Sequence, residues 1–183
     1  HRDLHSFPTR RSSDLVADYF GDCVEEVGLD LEQRGIKLNY SNLVSPDTVV
    51  IADPEQMKKV INNIISNSVK YMDKPDGHID IRILDEVDAI RVEIEDNGKG
   101  IAQKDLQKIF ERFYRTDASR NSAQGGSGIG LSIVKKIIED HGGFFWGRSG
   151  ERRGGEEGRI RRAADHLKKK QYMVYGISFV QPL

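Results

Sequence analysis

Between His78 and Asp96 the chain alternates apolar and polar residues twice. "HIDIRIL" sets Ile79, Ile81 and Ile83 against Asp80 and Arg82, and "AIRVEIED" sets Ile90, Val92 and Ile94 against Arg91, Glu93 and Glu95. A period of two is that of a strand with one dry face, and two such runs in succession read as an antiparallel pair. A pair of strands cannot keep a dry face alone in water, so helices must cover it. Residues 16–34 supply one candidate, with Phe20, Val24, Val27 and Leu31 at helical spacing. A second runs from Asp53-Pro54, a capping acid followed by proline at the first helical position, to about Tyr71. Its apolar stripe is Met57, Val60, Ile61, Ile64, Ile65 and Val69. Residues 129–141 form a third, ended by His141-Gly142-Gly143. "IKLNYSNL", "TVVIAD", "FFWGR" and "YGISFVQPL" read as further strands, residues 105–114 as a short helix, and "SRNSAQGGSG" as a flexible loop. Strands and helices mix without regular crossovers. The expectation is an α/β two-layer sandwich: a mixed, largely antiparallel sheet with helices packed on one face. The other face would meet solvent or another domain.

Composition narrows the function. Of the 183 residues 31% are charged and 37% hydrophobic, as in a globular domain, and the net charge of −1 argues against nucleic acid as the main partner. Cys23 is the only cysteine, which excludes an internal disulfide and a cysteine-based zinc site. It occupies an apolar position of the first helix, where a packing role is expected. No run of about 18 apolar residues occurs, so no membrane contact is expected of this segment.

Three polar stretches stand out. In "QMKKVINNIISNSVKY" Asn63 and Asn67 share a helix face, with Lys70 and Tyr71 one turn on. Asparagine is a poor residue in mid-helix. Carboxamide oxygens and a lysine there suit magnesium and phosphate, and the same pattern also suits a solvated face. In "EIEDNGKGI" a strand ends at Asp96, whose carboxylate could accept from an exocyclic amine, with Gly98 and Gly100 letting backbone come close. Asn97-Gly98 equally fits a plain hairpin turn. In "GGSGIGLSIVKK" glycines open a helix, which offers unpaired N–H groups to phosphate, or simply a linker.

Taken in order, the asparagine helix, Asp-x-Gly-x-Gly, "IFERFYR" and Gly-x-Gly-x-Gly-Leu strongly resemble the ATP-binding catalytic domain of bacterial sensor histidine kinases, within the superfamily that includes gyrase and MutL. The resemblance runs from about residue 16 to Trp146 and implies a Bergerat-type ATP-binding fold. It implies Asn67 as a magnesium ligand with Asn63 beside it, Lys70 and Tyr71 on phosphates, and Asp96 on the adenine amino group. Gly98, Gly100 and Ile101 would shape that pocket. Phe110 and Phe113 would anchor the lid over ATP, with Arg115 and Arg120 in reach of phosphate. Gly126, Ser127, Gly128, Ile129 and Gly130 would form the phosphate loop, and Leu131 would pack beneath it. The implied activity is transfer of the ATP γ-phosphoryl group to a histidine, with Asn63, Asn67 and Lys70 serving catalysis and Mg2+ as cofactor. The implied partners are a histidine-bearing helical dimerisation domain, a response regulator receiver domain and a second copy of the full-length protein. The implied location is the cytoplasm, with a parent protein that could be membrane-anchored. A stand-alone partner-switching module of the anti-sigma factor serine kinase type is the alternative, and a nucleotide sensor without transfer is a third.

Two segments depart from that pattern. Residues 1–15, "HRDLHSFPTRRSSDL", read as the translation of a sequencing adapter; the domain is then expected over 16–183, with further chain upstream. His1-Arg2-Asp3-Leu4 imitates a kinase catalytic loop, but Pro8 stands where its asparagine belongs. Residues 149–172 replace the family's short glycine turn with a basic stretch, in which Ile160, Ala164 and Leu167 could line a helix. A genuine insertion and a reading-frame slip both account for it. No phosphoacceptor histidine is expected here: His5 lies in the leader, His78 begins a strand and His141 caps a helix.

Overall fold

The computed structural model of the chain describes residues 12–116, 126–153 and 169–180. In order these form β1 (Ser12–Leu15), α1 (Val16–Gln33), β2 (Lys37–Leu43), β3 (Val49–Ala52), α2 (Pro54–Lys70), β4 (His78–Glu86) and β5 (Ala89–Asp96). A single 3-10 turn at Lys108–Phe110 follows, then α3 (Gly130–Asp140), β6 (Phe144–Arg153) and β7 (Lys169–Val180). The main sheet has the order β2-β4-β5-β7-β6. β4, β5, β7 and β6 pair antiparallel, and β2 runs parallel to β4. The parallel pair is joined through β3 and α2, the long connection such a pair needs. β1 pairs antiparallel with β3 from Ser12↔Ala52 to Leu15↔Val49, so the last four residues of the segment read as a leader form paired backbone.

The alternation between His78 and Asp96 does what it should. Ile79, Ile81, Ile83, Ile90, Val92 and Ile94 are all buried on the helix side of the sheet. Met57, Val60, Ile61, Ile64 and Ile65 of α2 and Val134 and Ile138 of α3 complete that core. Truncating a fully buried member such as Ile64 to alanine costs about 2–5 kcal/mol. The Asp53 carboxylate accepts from the N–H groups of Glu55 (3.0 Å) and Gln56 (3.2 Å), with Pro54 at the first helical position. That cap contributes about 1 kcal/mol and sets where α2 begins. Cys23 is buried as expected, and burial raises its thiol pKa.

The far face of the sheet carries an ionic ladder. Arg82 reaches Glu95 at 2.7 Å and Glu93 at 3.3 Å, and Arg91 reaches Glu86 at 2.9 Å and Glu93 at 3.4 Å. Among the described residues no helix is long and apolar enough to cross a membrane.

Two expectations need correction. Residues 105–114 do not form a helix beyond the turn at Lys108–Phe110. Leu106 and Ile109 are buried, but Phe113 adopts φ +64° and donates its N–H to the Gly128 carbonyl at 2.9 Å. The chain leaves the helical path there to meet the glycine-rich loop. The last hairpin is also longer than "FFWGR" and "YGISFVQPL" suggest: its ladder runs from Phe144↔Ser178 to Arg153↔Lys169. The atypical 149–172 segment therefore begins and ends as a continuation of β6 and β7. Ile160, Ala164 and Leu167 lie outside the described residues, as does most of the expected flexible loop.

Candidate functional site

The site is built where the C-terminal half of α2, the end of β5 and the start of α3 converge. Each brings a different chemistry. α2 must bury its isoleucine stripe, so the face bearing Asn63, Asn67 and Lys70 turns away from the core. Asn63 Nδ2 donates to the Lys59 carbonyl at 2.8 Å, which leaves Oδ1 turned toward the glycine-rich loop. A Cβ placed on Gly130 would stand 2.9 Å from that Oδ1, and one on Gly126 would stand 2.5 Å from Lys70 Nζ. The ammonium of Lys70 also lies 5.3 Å from the Tyr71 ring centroid. Side chains at 126 and 130 would therefore fill the space between the helix and the loop.

The loop conformation needs glycine as well. Gly128 has φ +69°, and a Cβ there would come within 2.8 Å of the Tyr114 carbonyl oxygen. α3 then starts at Gly130 with no side chain capping its first turn. Its leading N–H groups lie at the end of the helix nearest Asn63 and Lys70, where a helix attracts anions. Ile129 accepts from Ile133 N–H (3.0 Å) and from the Ser132 hydroxyl (2.7 Å), Leu131 packs against the core, and Ser127 is exposed.

Asp96 closes the other side. It is 3% exposed, and its Oδ1 accepts from Gly98 N–H at 3.0 Å. Burial raises its carboxyl above the ordinary aspartate value, partly offset by the Ser68 hydroxyl facing it from α2 and by the Gly98 N–H. Tyr175 is buried beside Asp96 and Tyr71, and burial with those two neighbours raises its phenol. A buried carboxylate beside aromatic walls favours a flat ligand that can donate a hydrogen bond. Asn97-Gly98 does not close a hairpin, because β5 is followed in the sheet by β7. Instead the Asn97 side chain accepts from His78 N–H at 2.9 Å and donates to the Asp76 carbonyl at 3.0 Å. Lys99 N–H bonds the Tyr71 carbonyl at 3.1 Å, which seats this turn against the end of α2.

Eight of the residues singled out from sequence fall into three contacting groups: Asn63 and Lys70 against Gly130 and Gly126, Tyr71 and Asp96 around Gly98, and Gly128 against residues 113–115. Asn67 is half-buried on the same α2 face as Asn63. Gly100 and Ile101 lie on the far rim of the turn, against Ser149. The two phenylalanines part company. Phe110 packs edge-on against Phe145 at 4.9 Å, whereas Phe113 is 68% exposed with Arg112 stacked near its ring. Arg115 lies against Gly128, and Arg120 falls outside the described residues. A separate apolar recess around Val16, Phe20, Met57 and Phe179 shares no residue with this site.

Residues 52–161 match the histidine kinase-, DNA gyrase B- and HSP90-like ATPase family. The chain belongs to this family. Within it, the chain is 39% identical over 115 residues to the sensor histidine kinase WalK of Bacillus subtilis, covering 62% of this chain and 19% of that protein. It is 40% identical over 111 residues to the signal transduction histidine-protein kinase BaeS of Escherichia coli, covering 60% and 23%. The matches thus span about a fifth of those relatives' length. The fold is that of the catalytic domain of the histidine kinase ThkA, with a TM-score of 0.70 at 22% identity over 93% of this chain and 95% of that one. ThkA in complex with the response regulator TrrA gives 0.67 at 21% identity, over 94% and 42%.

Lys74 and Ser149 were not singled out by sequence, and Asn97 was read only as part of a possible hairpin turn. Their contacts with the Asp96 turn join residues far apart in the chain, and no spacing rule reports such ties.

Proposed function

We propose that the chain is the ATP-binding catalytic domain of a two-component sensor histidine kinase. The convergence of Lys70 and Asn63 on Gly126 and Gly130, opposite the buried Asp96, carries this reading. Asp96 accepts the adenine amino group while Gly98 and Gly100 keep the backbone close to the ring. The triphosphate lies along the uncapped start of α3 within reach of Lys70, Tyr71 and Arg115. Among the described residues no group of three or more His, Cys, Asp or Glu side chains could hold a metal ion. A divalent cation would take the amide oxygen of Asn67, assisted by Asn63, with phosphate and water oxygens. That donor set fits Mg2+, which dehydrates reluctantly and tolerates few protein ligands. When bound, the cation neutralises charge on the phosphates.

In the transfer step a histidine imidazole nitrogen attacks the γ-phosphorus. The bond to the oxygen bridging the β- and γ-phosphates breaks, and ADP leaves. The chain's own contribution is positioning and charge neutralisation, which is most of what phosphoryl transfer requires. The acceptor histidine sits on a helical dimerisation domain of the full-length homodimer, and a response regulator takes the phosphoryl group next, on the cytoplasmic side. The identity with WalK and BaeS favours a histidine acceptor over the serine of a partner-switching kinase.

The test has two stages. Calorimetry with Mg·ADP should show binding by the wild-type chain and a loss of about tenfold or more in Asp96→Asn. With labelled ATP and the matching helical domain, the label should appear on that domain in an acid-labile, base-stable form. An acid-stable label would instead identify a hydroxyl acceptor.

A further inference from the structure

The turn after β5 is held from outside by two side chains that neither the phosphate nor the base role explains. Lys74, just beyond α2, donates to the Asn97 carbonyl and to those of Gly98 (3.5 Å) and Gln171 (3.2 Å). An ammonium has three donors and no acceptor, so these three carbonyls use it up. Two of them belong to the turn and the third to β7. Ser149 on β6 makes a matching tie. Its Oγ accepts the Ile101 N–H at 2.8 Å and donates to the Tyr172 carbonyl at 2.9 Å. Gly100 lies between the two ties at φ +67°, where a Cβ would stand 2.8 Å from Ser149 Oγ and 3.3 Å from the Tyr172 carbonyl oxygen. The turn is pressed against the hairpin with no room for a side chain.

Ser149, Gln171 and Tyr172 all belong to the 149–172 segment that replaces the short connection expected of the family. We propose that Lys74 and Ser149 are positioning residues for base recognition, fastening the 97–101 turn to the root of the extended β6–β7 hairpin and so holding Asp96 and Gly98 in register for the ring. This rests on Asp96 being the base-binding group. The physical reason is preorganisation. A turn fixed at both ends loses little freedom when a ligand arrives, whereas a loose one must be ordered at the expense of affinity. The coupling also runs the other way, since whatever displaces the hairpin displaces the turn.

Mg·ADP affinity, melting temperature and amide hydrogen exchange should be measured on the wild-type chain and on Lys74→Met, Ser149→Ala and Ser149→Thr. Lys74→Met and Ser149→Ala should each weaken ADP about five- to tenfold, the scale of one positioned hydrogen bond. Amides from Gly98 to Ile101 should exchange faster in both. Ser149→Thr keeps the hydroxyl and should bind within about twofold of wild type. A purely architectural role would lower the melting temperature and leave affinity unchanged well below it, and that result overturns the proposal. Each variant decides by itself, so one that fails to fold leaves the decision to the other. If the wild type binds and the folded variants bind equally well, only this proposal falls. If the wild type binds no adenine nucleotide, the nucleotide assignment falls and takes the proposal with it.

Discussion

Nε2 of His141 accepts the backbone N–H of Asp53 at 3.1 Å, while Nδ1 of the same ring lies 2.7 Å from the Ile137 carbonyl. Together these contacts assign the proton to Nδ1. Asp53 caps α2 and His141 ends α3, so one imidazole ties the helix bearing Asn63 and Lys70 to the helix that follows the glycine-rich loop. His141→Phe keeps much of the volume but leaves the Asp53 N–H without its acceptor. The expected loss is about 1–2 kcal/mol. It should appear as a lower urea midpoint at unchanged slope.

Asp96 should show the opposite relation between stability and function. Burial raises its carboxyl, so the folded state holds that proton more tightly than the unfolded chain does. Stability is therefore lost as pH rises from the ordinary aspartate value through the raised one, and the penalty stays constant above that window. Asp96→Asn removes the penalty while keeping an oxygen for the Gly98 N–H. The variant should melt no lower than wild type at pH 7, and its relative advantage should shrink as pH falls through the window. Thermal melts across a pH series check this. A variant much less stable than wild type at pH 7 would contradict it.

Periodicity made the sandwich legible because each buried face leaves its mark within a few residues. The isoleucines of β4 and β5, the stripe of α2 and the Asp53-Pro54 start all read directly. The parallel pairing of β2 with β4 did not, since alternation reports a dry face and not a strand's direction. Leu106, Ile109, Phe110 and Phe113 imitate a helix stripe, yet Phe113 turns outward because its N–H bonds Gly128, a partner beyond any local window. In the site, Asn63, Lys70, Asp96 and the glycines were legible as residue types that a helix, strand end or loop does not need for itself. Lys74 and Ser149 were not, because a surface lysine and a strand serine are ordinary until their carbonyl partners are known.

The ionic ladder on the far face should matter for stability and not for nucleotide binding. Glu95 is 3% exposed and Glu93 is 9% exposed, and Arg82 bonds both. Arg82→Met keeps the aliphatic reach but leaves two nearly buried carboxylates without that cation. Removing one partner of a buried ion pair is far costlier than losing a surface pair. The expected cost is about 2–4 kcal/mol, eased by raised salt only in part. Chemical denaturation should register it, with Mg·ADP affinity unchanged in the folded protein.

Trp146 offers an optical version of the same separation. It is the chain's only tryptophan, and it lies on Gly176 so closely that a Cβ there would meet the indole at 2.0 Å. Arg148 stands 6.0 Å from the ring centroid on β6. Gly176 pairs with Glu93 on β5 and with Trp146 on β6, so the indole covers the middle of the far face. Gly176→Ala must displace it, because the backbone of a central strand cannot retreat. Overpacking of this kind costs about 1–3 kcal/mol. Tryptophan emission should shift to the red as the ring moves toward water, and the melting temperature should fall. Because the sheet itself lies between this face and the side bearing the Asp96 carboxylate and α2, Mg·ADP affinity should hold at wild-type level. A parallel loss of affinity would mean that strain in β7 reaches the 97–101 turn through Gln171 and Tyr172.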